Sequence, residues 1–237
     1  MKTMLVTGAS RGIGLELARQ YAADGWHVVA AARKPEESAG LKELAKKYGD
    51  ALQLVGLDVT SDESIEGLVD AMNGRAIDLL VNNAGMYPRE GTHVGRLDYD
   101  SWGDTLDTNL FGVMRVTEGL LENVAQSERK QIVAISSAMG SLHITDGPSV
   151  AQSGTSYQYR TSKAALNMAL LILSKELAPR GISVVMISPG WVKTDMGGAG
   201  AAITPEVSVA GIKKVLDAGR MEISGKFLSY NGSEVAW

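Results

Sequence analysis

The sequence predicts an α/β fold, a doubly wound parallel sheet with helices on both faces, and three observations predict it. Short apolar runs rich in β-forming residues alternate with amphipathic segments along the whole chain. These runs are nearly continuous in hydrophobicity, the pattern of strands covered on both faces and joined by right-handed crossovers. The first of them, Met4-Leu5-Val6-Thr7, runs straight into Gly8-Ala9-Ser10-Arg11-Gly12-Ile13-Gly14 and then into a helical pattern.

Taken in order, the strands are expected at residues 4–7, 26–31, 52–57, 77–81, 131–136 and 182–187, with a last short strand at 226–229. The helices between them are expected at 14–24, 35–48, 62–72, 99–125, 156–177 and 205–218. Residues 87–97 and the Gly/Ser/Thr-rich stretch 138–155 fit neither pattern. Both follow strand ends, where open α/β sheets bind ligands, so both are expected to form substrate walls. No internal repeat, low-complexity tract or linker interrupts the pattern.

A chain of 237 residues with 45% hydrophobic composition can bury a full core and suits one α/β domain, residues 1–237, better than two small ones. Its 23 basic and 27 acidic residues nearly balance, which leaves no broad electrostatic footprint for nucleic acid or an anionic membrane. With no cysteine there is no disulfide framework, no thiolate catalysis and no cysteine-ligated metal. His27, His93 and His143 lie far apart without zinc spacing, so no metal is expected. A first strand almost at the start, without an export-signal pattern, and no apolar stretch near the roughly 20 residues that span a bilayer give a cytoplasmic expectation.

Two constellations carry chemistry. Gly8, Gly12 and Gly14 permit a tight turn in which backbone N–H groups approach a pyrophosphate at the positive end of the next helix, a dinucleotide site in this strand-to-helix context. Tyr159 and Lys163 stand four residues apart and share one helix face, an acid/base pair. A phenol with an ordinary pKa of about 10 is only about one part in a thousand ionised at neutral pH. The Lys163 ammonium, together with the positive nicotinamide of an oxidised cofactor, is therefore expected to favour tyrosinate. Together the two constellations point to nicotinamide-dependent redox chemistry.

At the end of the second strand, where an acidic residue would hold the ribose hydroxyls of NAD, stands Arg33. Arg11 and Arg33, with Lys34 able to share, are expected to hold the 2′-phosphate of NADP. Ser137 ends the fifth strand, where its hydroxyl can bond a substrate carbonyl oxygen, while strand alternation turns Ser136 elsewhere. Asn82 is suited to bracing the central sheet, and Thr60 to starting a helix cap.

These segments, Thr7 to Gly14, Asn82-Asn83-Ala84-Gly85, Asn109, Ser137 and Tyr159 to Lys163, resemble the signatures of the short-chain dehydrogenase/reductase family. Pro189 to Gly198 and the ending Tyr230 to Trp237 look like its branch of Sniffer-type carbonyl reductases and bacterial C-factor proteins. The resemblance covers the whole chain in order and implies a Rossmann-type fold with a catalytic set of Asn109, Ser137, Tyr159 and Lys163. In reduction it makes Tyr159 the proton donor, has Lys163 also bind the nicotinamide ribose, and gives Asn109 the ordering of water in a relay to Lys163. It implies NADP contacts from Gly8, Ser10, Arg11, Gly12, Ile13 and Gly14, from Arg33, Asp58 and Val59, and from Asn83, Ala84 and Gly85. Further contacts come from Tyr159, Lys163, Pro189, Gly190, Val192 and Thr194, the last two around the carboxamide.

The interval from Ser137 to Tyr159 is longer than in many members, which makes Tyr157 and Ser141 rival assignments, although position 161, four after Tyr157, is Thr and not Lys. Trp191, Tyr87, Met139, His143 and Met196 are candidates for an apolar pocket. The stretch Ala164 to Leu173 is apolar nearly all round, suggesting one side on the sheet and another on a second copy, hence a homodimer or homotetramer. The expected substrate is a small aldehyde or ketone, or the alcohol in reverse. The rival is a cofactor-sensing or signalling protein of C-factor type with little turnover.

Overall fold

The computed structural model describes residues 1–88, 93–145 and 156–237. Seven parallel strands form one sheet in the order β3-β2-β1-β4-β5-β6-β7: β1 (Thr3–Thr7), β2 (His27–Ala32), β3 (Leu52–Gly56), β4 (Leu79–Asn82), β5 (Gln131–Ile135), β6 (Ser183–Ser188) and β7 (Phe227–Ser229). The chain order reverses between β1 and β4, and in such sheets that switch point opens a crevice at the carboxyl ends of the strands.

Alternation along the strands divides the core in two. Met4, Val6, Val81, Val133 and Val185 pack on one face, and Leu5, Leu80, Ile132, Val184 and Met186 on the other. Helices cover both faces, which is why the strands read as continuous apolar runs. On the first face lie α1 (Gly12–Ala23), α2 (Ala39–Tyr48) and the helix Pro205–Ala218; on the second lie α3 (Asp62–Met72), the segments between Tyr99 and Ala125, and the long helix Tyr157–Leu177.

Several expected elements are corrected. The helix expected over 35–48 is a 3-10 turn, Pro35–Glu37, followed by α2, because Ser38 separates them. Its hydroxyl donates to the Ser10 carbonyl (2.7 Å) and accepts the Leu41 N–H, which makes it the cap of α2. Thr60 is not the cap of α3: Ser61 is, accepting the Ser64 N–H, while Thr60 turns back to Asp58.

The helix expected over 99–125 is three helices, α4 (Tyr99–Leu106), α5 (Gly112–Gly119) and α6 (Leu121–Ala125), with a π-turn at Asp107–Phe111. The turn carries Asn109, whose side chain is tied to the Met86 backbone outside the helix. The stretch read as loop from 138 begins with a 3-10 turn at Ala138–Gly140 and α7 (Leu142–Thr145). The remainder of that expected substrate wall, 146–155, and residues 89–92 of the other lie outside the described residues. The long helix Tyr157–Leu177 is α8 and Pro205–Ala218 is α9.

Asn82 does brace the sheet, donating from Nδ2 to Thr117 Oγ1 at 3.0 Å in the buried β4–α5 contact. Among the described residues no helix is long and apolar enough to cross a membrane, and no group of three or more His, Cys, Asp or Glu is arranged to hold a metal ion.

Candidate active site

A cleft of ≈ 940 Å3 opens over the carboxyl ends of β1 and β4 and runs from the glycine turn to the start of α8. Gly8 and Gly12 have φ of +65° and +56°, a backbone region that favours glycine. A Cβ on Gly8 would stand 2.8 Å from the Ala84 backbone, and one on Gly14 would stand 2.3 Å from the Gly8 carbonyl. The absent side chains thus let the turn fold on itself and against the segment after β4. That segment is held in return: Thr7 Oγ1 accepts the N–H groups of Asn83 and Ala84, and Asn83 Nδ2 donates to the Thr7 and Gly8 carbonyls.

Of the residues expected at a cofactor, Gly8, Ser10, Arg11, Gly12, Ile13, Arg33, Asp58, Val59, Asn83, Ala84, Gly85, Tyr159, Lys163, Pro189 and Thr194 line this cleft. Gly14, Gly190 and Val192 do not. Gly14 faces back into its own turn, Gly190 packs against Ile203 and Tyr230, and Val192 is buried. The Thr194 hydroxyl accepts the Gly197 N–H at 3.1 Å, which folds the segment after β6 into a turn beside Gly12.

The charges at the ends of β1, β2 and β3 divide unequally. Arg33 is exposed on the cleft, and its charge adds to the hydrogen bonds from the Thr60 N–H and hydroxyl that hold the Asp58 carboxyl below the usual carboxylate range. Arg11 instead donates to Asp195 at 3.0 Å across the cleft mouth. Lys34 does not join them: it is absent from the cleft wall and pairs with Glu37 at 2.9 Å.

Tyr159 and Lys163 project from one face of α8 into the cleft, both buried. Burial pushes the Tyr159 phenol up to about 12, the Ser137 hydroxyl opposes this through a hydrogen bond, and neighbouring Tyr87 adds to the rise. Burial also pulls the Lys163 amine down to about 8. The expected lowering of the phenol by the ammonium is therefore corrected for the chain by itself. Lys163 Nζ donates to the Ile135 carbonyl at 2.9 Å and stands 5.8 Å from the Tyr159 ring centroid, so desolvation outweighs mutual attraction.

Ser137 caps the turn Ala138–Gly140, accepting the Met139 N–H at 3.1 Å, and this turn lies on α8. A Cβ on Gly140 would stand 2.8 Å from the Lys163 backbone, so only a glycine brings the Ser137 turn this close. The Ser136 hydroxyl donates to Asn167 Oδ1 at 2.5 Å, and the cleft wall includes Ser136 and not Ser137. Asn109 is fully buried and its side chain is committed: Oδ1 accepts the Met86 N–H, and Nδ2 donates to the Met86 carbonyl and to Ser162 Oγ. Gly140, Met86 and Ser162 were missed in the sequence; a serine between Tyr159 and Lys163 was the available signal for the last.

The rival residues are placed elsewhere. Tyr157 lies off the cleft wall with its ring tilted toward Trp102, centroids 6.1 Å apart, and buried Ser141 accepts the Ile144 N–H. Of the proposed pocket residues only Met196 lines the cleft. Tyr87 lies against the Tyr159 ring, centroids 4.7 Å apart, whereas Trp191 is mostly exposed and donates to Gly197. Met139 lines a separate ≈ 290 Å3 cavity, and the His143 N–H is taken by the Trp237 carbonyl.

The sequence profile of the short chain dehydrogenase family matches residues 2–202. The C-signal protein of Myxococcus xanthus is 40% identical over 162 residues, 68% of this chain and 93% of its own. Among solved structures, an NADPH-bound carbonyl reductase from chicken fatty liver superposes with a TM-score of 0.92 at 32% identity, covering 100% of this chain and 99% of its own. The carbonyl reductase Sniffer of D. melanogaster does so with a TM-score of 0.90 at 29% identity, covering 100% of both. With seven parallel strands, a glycine turn at the switch point and a family match over most of its length, this chain belongs to the short-chain dehydrogenases.

Proposed function

We propose that this chain is an NADP(H)-dependent reductase of aldehydes or ketones, able to run the reverse alcohol oxidation. The observation that carries the reading is the meeting, in one cleft, of a glycine turn with the buried Tyr159 phenol and Lys163 amine. NADP rather than NAD is supported by Arg33 on the cleft wall where an acid would serve NAD, and by the NADPH bound to the chicken enzyme. The glycine turn fits such a group: without Cβ atoms at Gly8 and Gly12 the turn packs directly against Ala84 and Thr194 along the cleft, and α1 begins there with no side-chain cap on its first N–H groups.

When bound, NADPH supplies the hydride that the carbonyl carbon accepts. Tyr159 donates its proton to the carbonyl oxygen, and a phenol near 12 is fully protonated at neutral pH and ready for that role. Ser137 steadies the developing negative charge on the same oxygen. Lys163, held on the Ile135 carbonyl, keeps a positive charge beside the phenol and a donor for the nicotinamide ribose. Asn109 belongs to the set by holding the Met86 backbone, with a water relay toward Lys163 as its further role. The remaining cofactor contacts are those of the cleft wall, with Thr194 at the carboxamide. A second copy against the exposed Met168 and Ile172 of α8 would make a homodimer or homotetramer, and the protein would work in the cytoplasm on small molecules.

The test is a panel of aldehydes and ketones with NADPH, followed by loss of nicotinamide absorbance. Turnover that disappears in Tyr159→Phe supports the reading; unchanged turnover in that variant overturns the proton-donor assignment. A signalling reading is favoured by the 40% identity to a protein called C-signal. It gains ground if NADPH binds tightly and no carbonyl compound is reduced.

A further inference from the structure

Ser162 is a fully buried hydroxyl that the proposed chemistry does not use, and it stands on α8 between Tyr159 and Lys163. Its Oγ donates to the Tyr159 carbonyl at 2.9 Å and accepts from Asn109 Nδ2 at 3.0 Å. Such back-bonding within a helix is by itself neutral or mildly destabilising, so its worth lies in the second contact. That contact crosses from α8 to the π-turn Asp107–Phe111, an irregularity that costs a helix its regular ladder and recurs at functional sites.

The connection continues. Asn109, fully buried, grips Met86 from both sides, accepting its N–H at 2.8 Å and donating to its carbonyl at 3.0 Å. The residue before Met86 is Gly85, where a Cβ would stand 3.2 Å from Asn109 Oδ1 and 3.8 Å from Lys163 Nζ. One chain of hydrogen bonds thus runs from the helix turn that carries the acid/base pair, through the π-turn, to the strand-end backbone facing the Lys163 amine.

We propose that Ser162 is a positioning residue of the reaction: its hydroxyl fixes the Asn109 amide, and through it the Met86 backbone and the approach of Gly85 to Lys163. The proposal rests on the reductase reading for its kinetic consequence, but its geometric consequence is independent of it. In Ser162→Ala the Asn109 amide loses one of its acceptors, and a displacement of a few tenths of an ångström at the reacting groups slows chemistry without weakening substrate binding.

The experiment has two arms. In the cofactor-free protein, hydrogen exchange of the Met86 amide is compared between wild type and Ser162→Ala, and acceleration of about tenfold is expected, with exchange in the central strands unchanged. In steady-state reduction with NADPH, Ser162→Ala is expected to lower kcat about tenfold with KM for the carbonyl within about twofold. Adding Ser162→Ala to Asn109→Ala should cost nothing more, because both act through one connection. Unchanged Met86 exchange, an unchanged kcat with only a lower Tm, or multiplicative effects in the double variant would each overturn the proposal. If the wild type reduces no carbonyl compound, the reductase reading fails, and the Met86 arm alone still decides whether Ser162 holds Asn109.

Discussion

The Lys163 amine is 5.8 Å from the centre of the Tyr159 ring, and its hydrogen bond goes to the Ile135 carbonyl, not to the phenol. In the proposed reaction the pair therefore starts as a protonated phenol and a weakened amine base, each set by burial more than by the other. Two consequences of this arrangement, and two of the cleft around it, can be measured.

Carbonyl reduction should decline as pH rises through about 8, where the Lys163 ammonium loses its proton while Tyr159, near 12, keeps its own. The kcat against pH between 6 and 10 checks this. A flat profile across that range would separate Lys163 from the rate.

The same buried amine should make the cofactor-free protein more stable as pH rises from about 8 to 10.5. Its folded-state pKa of about 8 lies below the ordinary 10.5, so in that window the unfolded chain binds more protons and stability increases with pH. Lys163→Met removes this titration, and denaturant melts at pH 7.5 and 10 compare the two proteins. The advantage of the variant should be larger at pH 7.5, and an equal difference at both values would contradict the sign.

Arg33→Asp should move the preference from NADPH toward NADH by about one to two decades, the worth of one charge-assisted phosphate contact of about 1.5–3 kcal/mol. Arg11→Ala should have the smaller effect, because Arg11 is already paired with Asp195. Ratios of kcat/KM for the two cofactors measure both, and an unchanged ratio in Arg33→Asp removes that side chain from the phosphate site.

Gly140→Ala should lower kcat and cost about 1–3 kcal/mol of stability, since its methyl would be forced to within 2.8 Å of the Lys163 Cβ and carbonyl carbon. Kinetics and thermal melts check this together. Full activity would mean that the Ser137 turn can recede from α8 without loss.

Much of the fold was legible in the residues. The apolar runs and the glycine turn gave the strands, their parallel direction and the crevice, because period and turn chemistry are local properties. The break at Asp107–Phe111 was not, since its cause is Met86, bound by Asn109 across 23 positions of chain. Nor was the split at Ser38, whose hydroxyl answers the Ser10 carbonyl in another element. The pocket residues fared worst, with Trp191 exposed and Met139 in a different cavity, because loop side chains are aimed by whatever packs beneath them.

What the sequence determined by itself was the kind of chemistry: a phenol and an amine one helical turn apart, a turn with room for phosphates, and an arginine where an acid would bind ribose hydroxyls. Tertiary structure alone decided the protonation of that pair, the partner of Arg11 and the tie from Ser162 through Asn109 to Met86. The physical reason is that residue spacing fixes which groups share a face, whereas desolvation and hydrogen-bond partners depend on neighbours far away in the chain.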